Sequence, residues 1–355
     1  MQRGVLTRTH ATFPIFRQSF VHLRNGQDLY ARYPQEQGTE ERDRFKYSPS
    51  AALFFAPFAI LPFVLGLFAW TLLNSIAVYV AVNRLLPARD APVALLIIFP
   101  ALIASVQSTS SNGVIAALML FSFIALERGR VVGASSAVAV GALMKLFPAA
   151  AVPFVLWQPR PWRALGQLVL VFALMLAAPL LVTAPDQLLG QYRSWVAILT
   201  ADAGDLTFAR SIMVVVRAWT GSTVPNWMFQ AAATGILITP LVVRRSAWRD
   251  PLFRQQFLAS LLIYAVIFNH QAENASYVIA AAGLAVWFMA SPKTWPRVVL
   301  MLLCVAGLEA VPYALVWFWL QMDLLDGGRL WGWLKTQLPS ETRIQGAFEP
   351  EGLEA

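Results

Sequence analysis

A single lysine interrupts the long apolar stretch at residues 131–157, where it stands in the sequence MKLFP. A cation inside such a stretch is costly, so Lys145 is expected to face a cavity or a partner, and its natural ligand is an anion. The following Phe147-Pro148 breaks the helix and exposes backbone groups that only a cavity or a protein contact can satisfy. The alternative is a lysine that merely extends its ammonium group to water at the membrane edge.

Two further polar clusters lie between apolar stretches. FNHQAENASY, at 268–277, places His270 and Glu273 among amides. This combination suits a carbohydrate or phosphate pocket, although an ordinary loop before a new helix would have the same composition. QSTSSNG, at 107–113, is rich in turn and cap residues, so only Gln107 and Asn112 are candidates for a contact with substrate.

A charged border, RDRFKYSP at 42–49, directly precedes another apolar stretch. Its Asp43 is flanked by cations that would keep the carboxylate ionised and able to accept a proton, which is the task of a general base. A solvated charge run at a helix start is the alternative. Asp28 follows Asn25-Gly26, which is typical of a turn, so a structural role there is favoured over catalysis.

The composition indicates whether these residues lie in water or in a membrane. The chain has 355 residues, of which 58% are hydrophobic and 13% charged, whereas soluble domains carry about 25% charged residues. These values indicate a membrane protein. The net charge of +8 comes largely from arginines in short connections, which indicates membrane topology rather than nucleic-acid binding. The single Cys304 excludes an internal disulfide and a Cys-rich metal site, and residues 1–20 contain no apolar segment typical of a removable signal peptide.

The apolar stretches predict an all-α, multi-pass protein, since a helix needs about 20 residues to cross a bilayer. They are 62–83, 92–106, 112–127, 131–157, 162–183, 227–243, 252–268, 276–290 and 298–320. Their connections alternate between arginine-rich and polar. The positive-inside rule places the arginine-rich set in the cytoplasm and places 1–50, 107–113, 184–225 and 268–276 outside.

The stretch 131–157 has basic residues at both ends, so it is expected to cross outward and return. This course puts Lys145 about 22 Å along the helix from Arg130. All three polar clusters are then expected at the outer face, together with the charged border. SPSAALFFAPFAIL, at 48–61, is expected to form a short helix in the outer leaflet, because its prolines break the stretch before 62–83.

Five segments carry a resemblance to a known family: SFVHLRNGQDLYARYP, DRFKYSPSAALFFAPFAILP, QSTSSNGVIAALMLFSFIALERGR, GALMKLFPAAAVPFVL and FNHQAENASYVIA. In order and spacing they resemble the multi-spanning glycosyltransferases of family 87, the polyprenyl-phosphate-mannose-dependent group. The resemblance implies a GT-C-type helix bundle with an outward-facing cavity. It also implies that an acceptor hydroxyl, on a glycolipid or glycan, attacks a sugar carried on a polyprenyl phosphate at the outer face of the plasma membrane.

The resemblance implies roles for individual residues and requires neither a metal nor a cofactor. A first-loop acid acts as base, and cations stabilise the departing phosphate. On this pattern Asp43 is the base, the donor-phosphate ligands are Lys145, His270 and Lys46, and the substrate contacts are Asp28, Tyr47, Gln107, Asn112 and Glu273.

This chain departs from the family pattern in one respect. Relatives carry a further span that is followed by an aspartate, and the position expected for this acid lies near Thr12, where the chain has neither the span nor the acid. A truncated start, the use of Asp43, or a loss of activity each explain it. The expected organisation is an outer segment at 1–50, a transmembrane domain at 51–320 and a polar tail at 321–355. A lipid-linked saccharide transporter and an inactive homologue remain as alternative functions.

Overall fold

The computed structural model describes residues 12–33, 44–202, 210–307 and 309–327, and these residues are helical throughout with short connections. The α-helices are α1 (Thr12–Arg24), α2 (Pro49–Phe54), α3 (Ala56–Ile60), α4 (Phe63–Leu85), α5 (Ala91–Gln107), α6 (Asn112–Glu127), α7 (Val131–Met144), α8 (Pro161–Ala177), α9 (Pro185–Asp202), α10 (Ile212–Thr220), α11 (Asn226–Val243), α12 (Pro251–Ile267), α13 (Tyr277–Ala290), α14 (Trp295–Gly307) and α15 (Ala310–Asp326). Short 3₁₀ helices cover Phe147–Trp157, Ala178–Leu181, Arg245–Arg249 and Asn274–Ser276.

Several helices are built for a bilayer. Three described helical segments, Phe63–Leu85, Pro161–Leu181 and Asn226–Val243, are long and apolar enough to span it, and seven shorter ones are apolar as well. Large apolar side chains on their outer faces remain exposed, for example Leu96 at 71% and Leu174 at 63%. Such surfaces need lipid around them. The chain is therefore an all-α polytopic membrane protein, which confirms the predicted fold class.

The centre of the bundle is formed by helices that are apolar on every side. Most residues of α6 and α13 are buried, and α12 packs along α13. A Cβ atom at Gly283 would lie 2.7 Å from the carbonyl oxygen of Ala259, so α12 and α13 approach each other closely only because position 283 has no side chain. This buried core holds the helix ends that carry the polar residues.

The stretch 131–157 reverses direction near its middle. Helix α7 ends at Met144, Lys145 is extended, and the 3₁₀ helix Phe147–Trp157 returns beside α7. Pro148 packs so closely on Gly141 that a Cβ atom at position 141 would lie 3.0 Å from the proline ring. The return is complete at Gln158, whose side-chain amide donates to the carbonyl of Leu126 at 3.2 Å.

The single span expected over 298–320 is wrong. The structure divides this region into α14 and α15, with Glu309 in an extended conformation before α15. Arg297, at the start of α14, forms a buried ion pair of 2.8 Å with Asp323 near the end of α15. The two helices therefore form a hairpin, and α15 continues to Asp326, where Gly327 ends it with a φ of 70°.

Candidate active site

The loop 107–113 contains a strained residue. Thr109 has a φ of 51°, and among the described residues no other non-glycine has a positive φ. A β-branched residue rarely adopts this conformation, so contacts must hold it. Its hydroxyl accepts from the backbone N–H of Phe13 at 3.1 Å, and its carbonyl accepts from the Trp70 indole and the Thr12 hydroxyl, both at 2.9 Å. Strain held by such contacts is common at functional sites.

This loop presents Asn112 to Lys145. The Asn112 side chain is buried, and its Nδ2 donates to the Ser110 hydroxyl at 3.1 Å. Its Oδ1 accepts a hydrogen bond of 2.6 Å from the Lys145 ammonium. Asn112 is neutral, so it positions the cation without neutralising it. The two candidates of separate sequence clusters thus meet in one contact.

Tyr47 brings the charged border to the same place. Its hydroxyl and that of Ser111 are 2.8 Å apart, and its carbonyl accepts from the Tyr30 hydroxyl at 2.7 Å. The next residue, Ser48, donates its backbone N–H to the carbonyl of Leu143, at the end of α7. The border therefore runs beside the helix end that carries Lys145.

Glu273 adds a carboxylate to this cluster. It lies within electrostatic range of both Lys145 and Tyr47. It is positioned by a capping box with Ser276 at the start of the 3₁₀ helix Asn274–Ser276, which packs against α5. The central cluster therefore consists of Tyr47, Asn112, Lys145 and Glu273, with Ser111 as a member that the sequence analysis did not identify.

Lys46 is engaged elsewhere, in a second group at the border. Its ammonium lies 2.7 Å from a carboxylate oxygen of Asp202, and Arg44 lies 3.1 Å from the other. Partial burial alone would raise the pKa of Asp202, but the hydrogen bond and charge of Lys46, together with Arg44, hold it below its usual range. Helix α9 thus ties down the border, and its Trp195 indole donates to the Lys46 carbonyl at 3.1 Å. The sequence offered no signal that would pair Asp202 with Lys46.

Three candidates, His270, Gln107 and Asp28, are not part of the central cluster. His270 stands 3.4 Å from the Gln230 amide of α11, and Gln107 is the last residue of α5. Asp28 accepts from the backbone N–H of Tyr30 at 3.1 Å, which is the contact of an Asx turn. Asp43 lies outside the described residues.

A further cation lies beside the His270 loop. The backbone N–H of Arg210 donates to the carbonyl of Ala272 at 2.6 Å, and the Arg210 carbonyl accepts from the Tyr277 hydroxyl at 2.6 Å. Arg210 was not identified from the sequence, because it follows α9 at a long distance from this loop along the chain. Across the described ranges, no group of three or more His, Cys, Asp or Glu side chains could hold a metal ion.

The fold and the cluster define a class: a polytopic membrane protein in which a positioned cation, a phenol and a carboxylate meet at the ends of apolar helices. The model of glycosyltransferase family 87 matches residues 45–269, and the chain belongs to this family. It is thus a membrane glycosyltransferase, which acts on a sugar donor and an acceptor. No curated protein and no solved structure matches the chain significantly.

Proposed function

We propose that the protein transfers a hexose, most simply mannose, from a polyprenyl-phosphate carrier to an acceptor hydroxyl at the outer face of the plasma membrane. One observation carries this proposal: the Lys145 ammonium lies at the end of a broken apolar helix, held at 2.6 Å by a neutral amide. A cation positioned in this way matches a phosphate whose lipid chain stays in the bilayer.

In the proposed reaction, the acceptor oxygen forms a bond to the anomeric carbon while the bond from that carbon to the phosphate oxygen breaks. The electron pair leaves with the polyprenyl phosphate, whose growing charge Lys145 stabilises. The acceptor proton passes to a carboxylate. Asp43 is our proposed base, since it belongs to the charged border four residues before Tyr47, whose hydroxyl contacts Ser111 in the cluster.

Other residues extend the pocket. We propose that Glu273 and Tyr47 contact the sugar or acceptor hydroxyls, since Glu273 lies within electrostatic range of both Lys145 and Tyr47 and both side chains can hydrogen-bond to hydroxyls. Lys46 would contact the donor phosphate if that phosphate displaced Asp202. His270, Gln107 and Asp28 remain proposed contacts at the rim of this site.

The decisive experiment reconstitutes the protein in vesicles with a polyprenyl-phosphate mannose donor and measures sugar transfer. Lys145→Ala should weaken donor binding without loss of folding, and Lys145→Arg should restore part of it because the charge remains. Equal donor binding by the alanine variant and the parent would show that Lys145 does not meet the phosphate.

The base is tested separately from the cation. Asp43→Asn keeps the size of the side chain but cannot accept the proton, so the rate should fall about 10²- to 10⁴-fold. Asp28→Asn is the control and should be much milder, since that side chain serves a turn. A parent protein that transfers no sugar but moves the lipid between leaflets would instead support the transporter alternative.

A further inference from the structure

A polar cavity lies where the two ends of the segment 131–157 come together, whereas Lys145 is at the turn of this segment. It has a volume of about 660 Å³, which is within the range of small-molecule sites. It opens between the starts of α7 and α8, and its polar lining is dominated by Arg130, Arg160 and Arg163. Nothing in the sugar-transfer reaction uses these residues.

The three arginines bring positive charge to the cavity, and no Asp or Glu is among its described lining residues. All three are exposed, and none forms an ion pair with a described residue. Arg254 differs, since it pairs with Glu127 at 2.7 Å. The cavity therefore attracts an anion, and guanidinium groups match the oxygens of a phosphate particularly well.

The backbone around the cavity adds to this field. Helices α7 and α8 both begin here, and neither N-cap residue supplies a side-chain cap. Their first N–H groups and the positive ends of their dipoles thus remain available to an anion. Gly129 and Gly133 line the cavity, and a Cβ atom at either would meet nothing within 4 Å, so bare backbone stays accessible to a ligand.

The surroundings favour a lipid over a soluble anion. Val132 lines the cavity and is 56% exposed, while Trp162, at the start of α8, is 81% exposed and Val169, on the same helix, 61%. Tryptophan side chains in this position prefer the headgroup level of a bilayer. We propose that this cavity binds the phosphate of an anionic phospholipid at the arginine-rich face of the membrane, with the lipid chains along the apolar surface of α7 and α8.

Native mass spectrometry tests whether the arginine charges bind an anionic lipid. The full chain in neutral detergent is titrated with phosphatidylglycerol or with phosphatidylcholine. The parent should bind phosphatidylglycerol more tightly. Arg160→Gln with Arg163→Gln should lower this affinity on the order of 20-fold, since each arginine near an anionic lipid contributes about fivefold. The matched control, Arg84→Gln with Arg89→Gln, removes equal charge elsewhere and should change the affinity less than threefold.

A second experiment tests whether the lipid needs the space in the cavity, and it leaves the charge of the protein unchanged. Gly133→Leu fills the cavity and should reduce phosphatidylglycerol binding at least fivefold, whereas Gly190→Leu, equally unobstructed but on α9 and outside the lining, should not. Equal binding of both lipids by the parent, or equal effects of the cavity and control variants, would overturn the proposal. Competition by millimolar inorganic phosphate with the same potency as the lipid would show a soluble anion site instead. Melting temperatures establish that each variant is folded.

Discussion

The contact between Asn112 and Lys145 offers the sharpest test of the proposed donor site. Asn112→Asp replaces a neutral acceptor by a carboxylate of the same size, 2.6 Å from the ammonium in the parent geometry. A phosphate oxygen bound to the same ammonium would lie about 2.8 Å from it. The new carboxylate and the phosphate would then be about 5 Å apart, and at an effective dielectric constant of ~20 they repel by about 3 kcal/mol. Donor affinity should fall about 100-fold.

Asn112→Leu supplies the contrast. It removes the acceptor but adds no charge, so Lys145 keeps its attraction for phosphate and loses only its positioning. A loss of about tenfold is expected, at the lower end of the value of one hydrogen bond to a charged group. The order of donor affinity should therefore be parent, then Leu, then Asp.

The assay is equilibrium binding of the polyprenyl-phosphate sugar to the purified protein, followed by KM and kcat for transfer. A purely structural asparagine predicts the opposite order, because aspartate preserves the size and the acceptor oxygen and leucine does not. If Asn112→Asp binds donor as well as the parent, the Lys145 ammonium does not face the phosphate. Melting temperatures show whether either variant fails to fold.

Three other predictions concern the scaffold. Gly113→Ala should destabilise the protein by about 1–3 kcal/mol, because the new Cβ atom would lie 2.9 Å from the Asn74 side chain. The measurement is a lower melting temperature, and an unchanged melting temperature would refute the prediction. Asp202→Asn should lower the free energy of unfolding by about 0.5–1 kcal/mol at neutral pH. Its folded pKa lies below the usual value, so this difference from the parent should disappear as the pH falls through that folded pKa; a difference that persists in acid would exclude the ion pair. In a Cys304→Ala background, an impermeant thiol reagent added outside should label the single cysteines Asn25→Cys and Gln271→Cys but not Ala88→Cys or Ser246→Cys. The reverse labelling pattern would show that the topology is inverted.

Hydropathy alone determined the class of this protein and most of its helices. Apolar stretches and arginine-rich connections are local features, and in a bilayer a helix must satisfy its own backbone hydrogen bonds. The break at Lys145 could also be predicted, since a proline three residues later cannot continue the helix. The α14–α15 hairpin was missed because the run 298–320 is apolar except for Glu309, and this one charged residue at the reversal was not taken as the end of a span.

Only the tertiary structure decided which polar residues share a site. Asn112 and Lys145 both stood out in the sequence, but their contact depends on how α6 and α7 pack, and the position of Tyr47 depends on the pairing of Ser48 with the end of α7. Lys46 was expected at the phosphate and instead pairs with Asp202 of α9, more than a hundred residues away. Local periodicity specifies which face of a helix is apolar, but side-chain partners at the helix ends are set by long-range packing, to which each residue contributes only a small part.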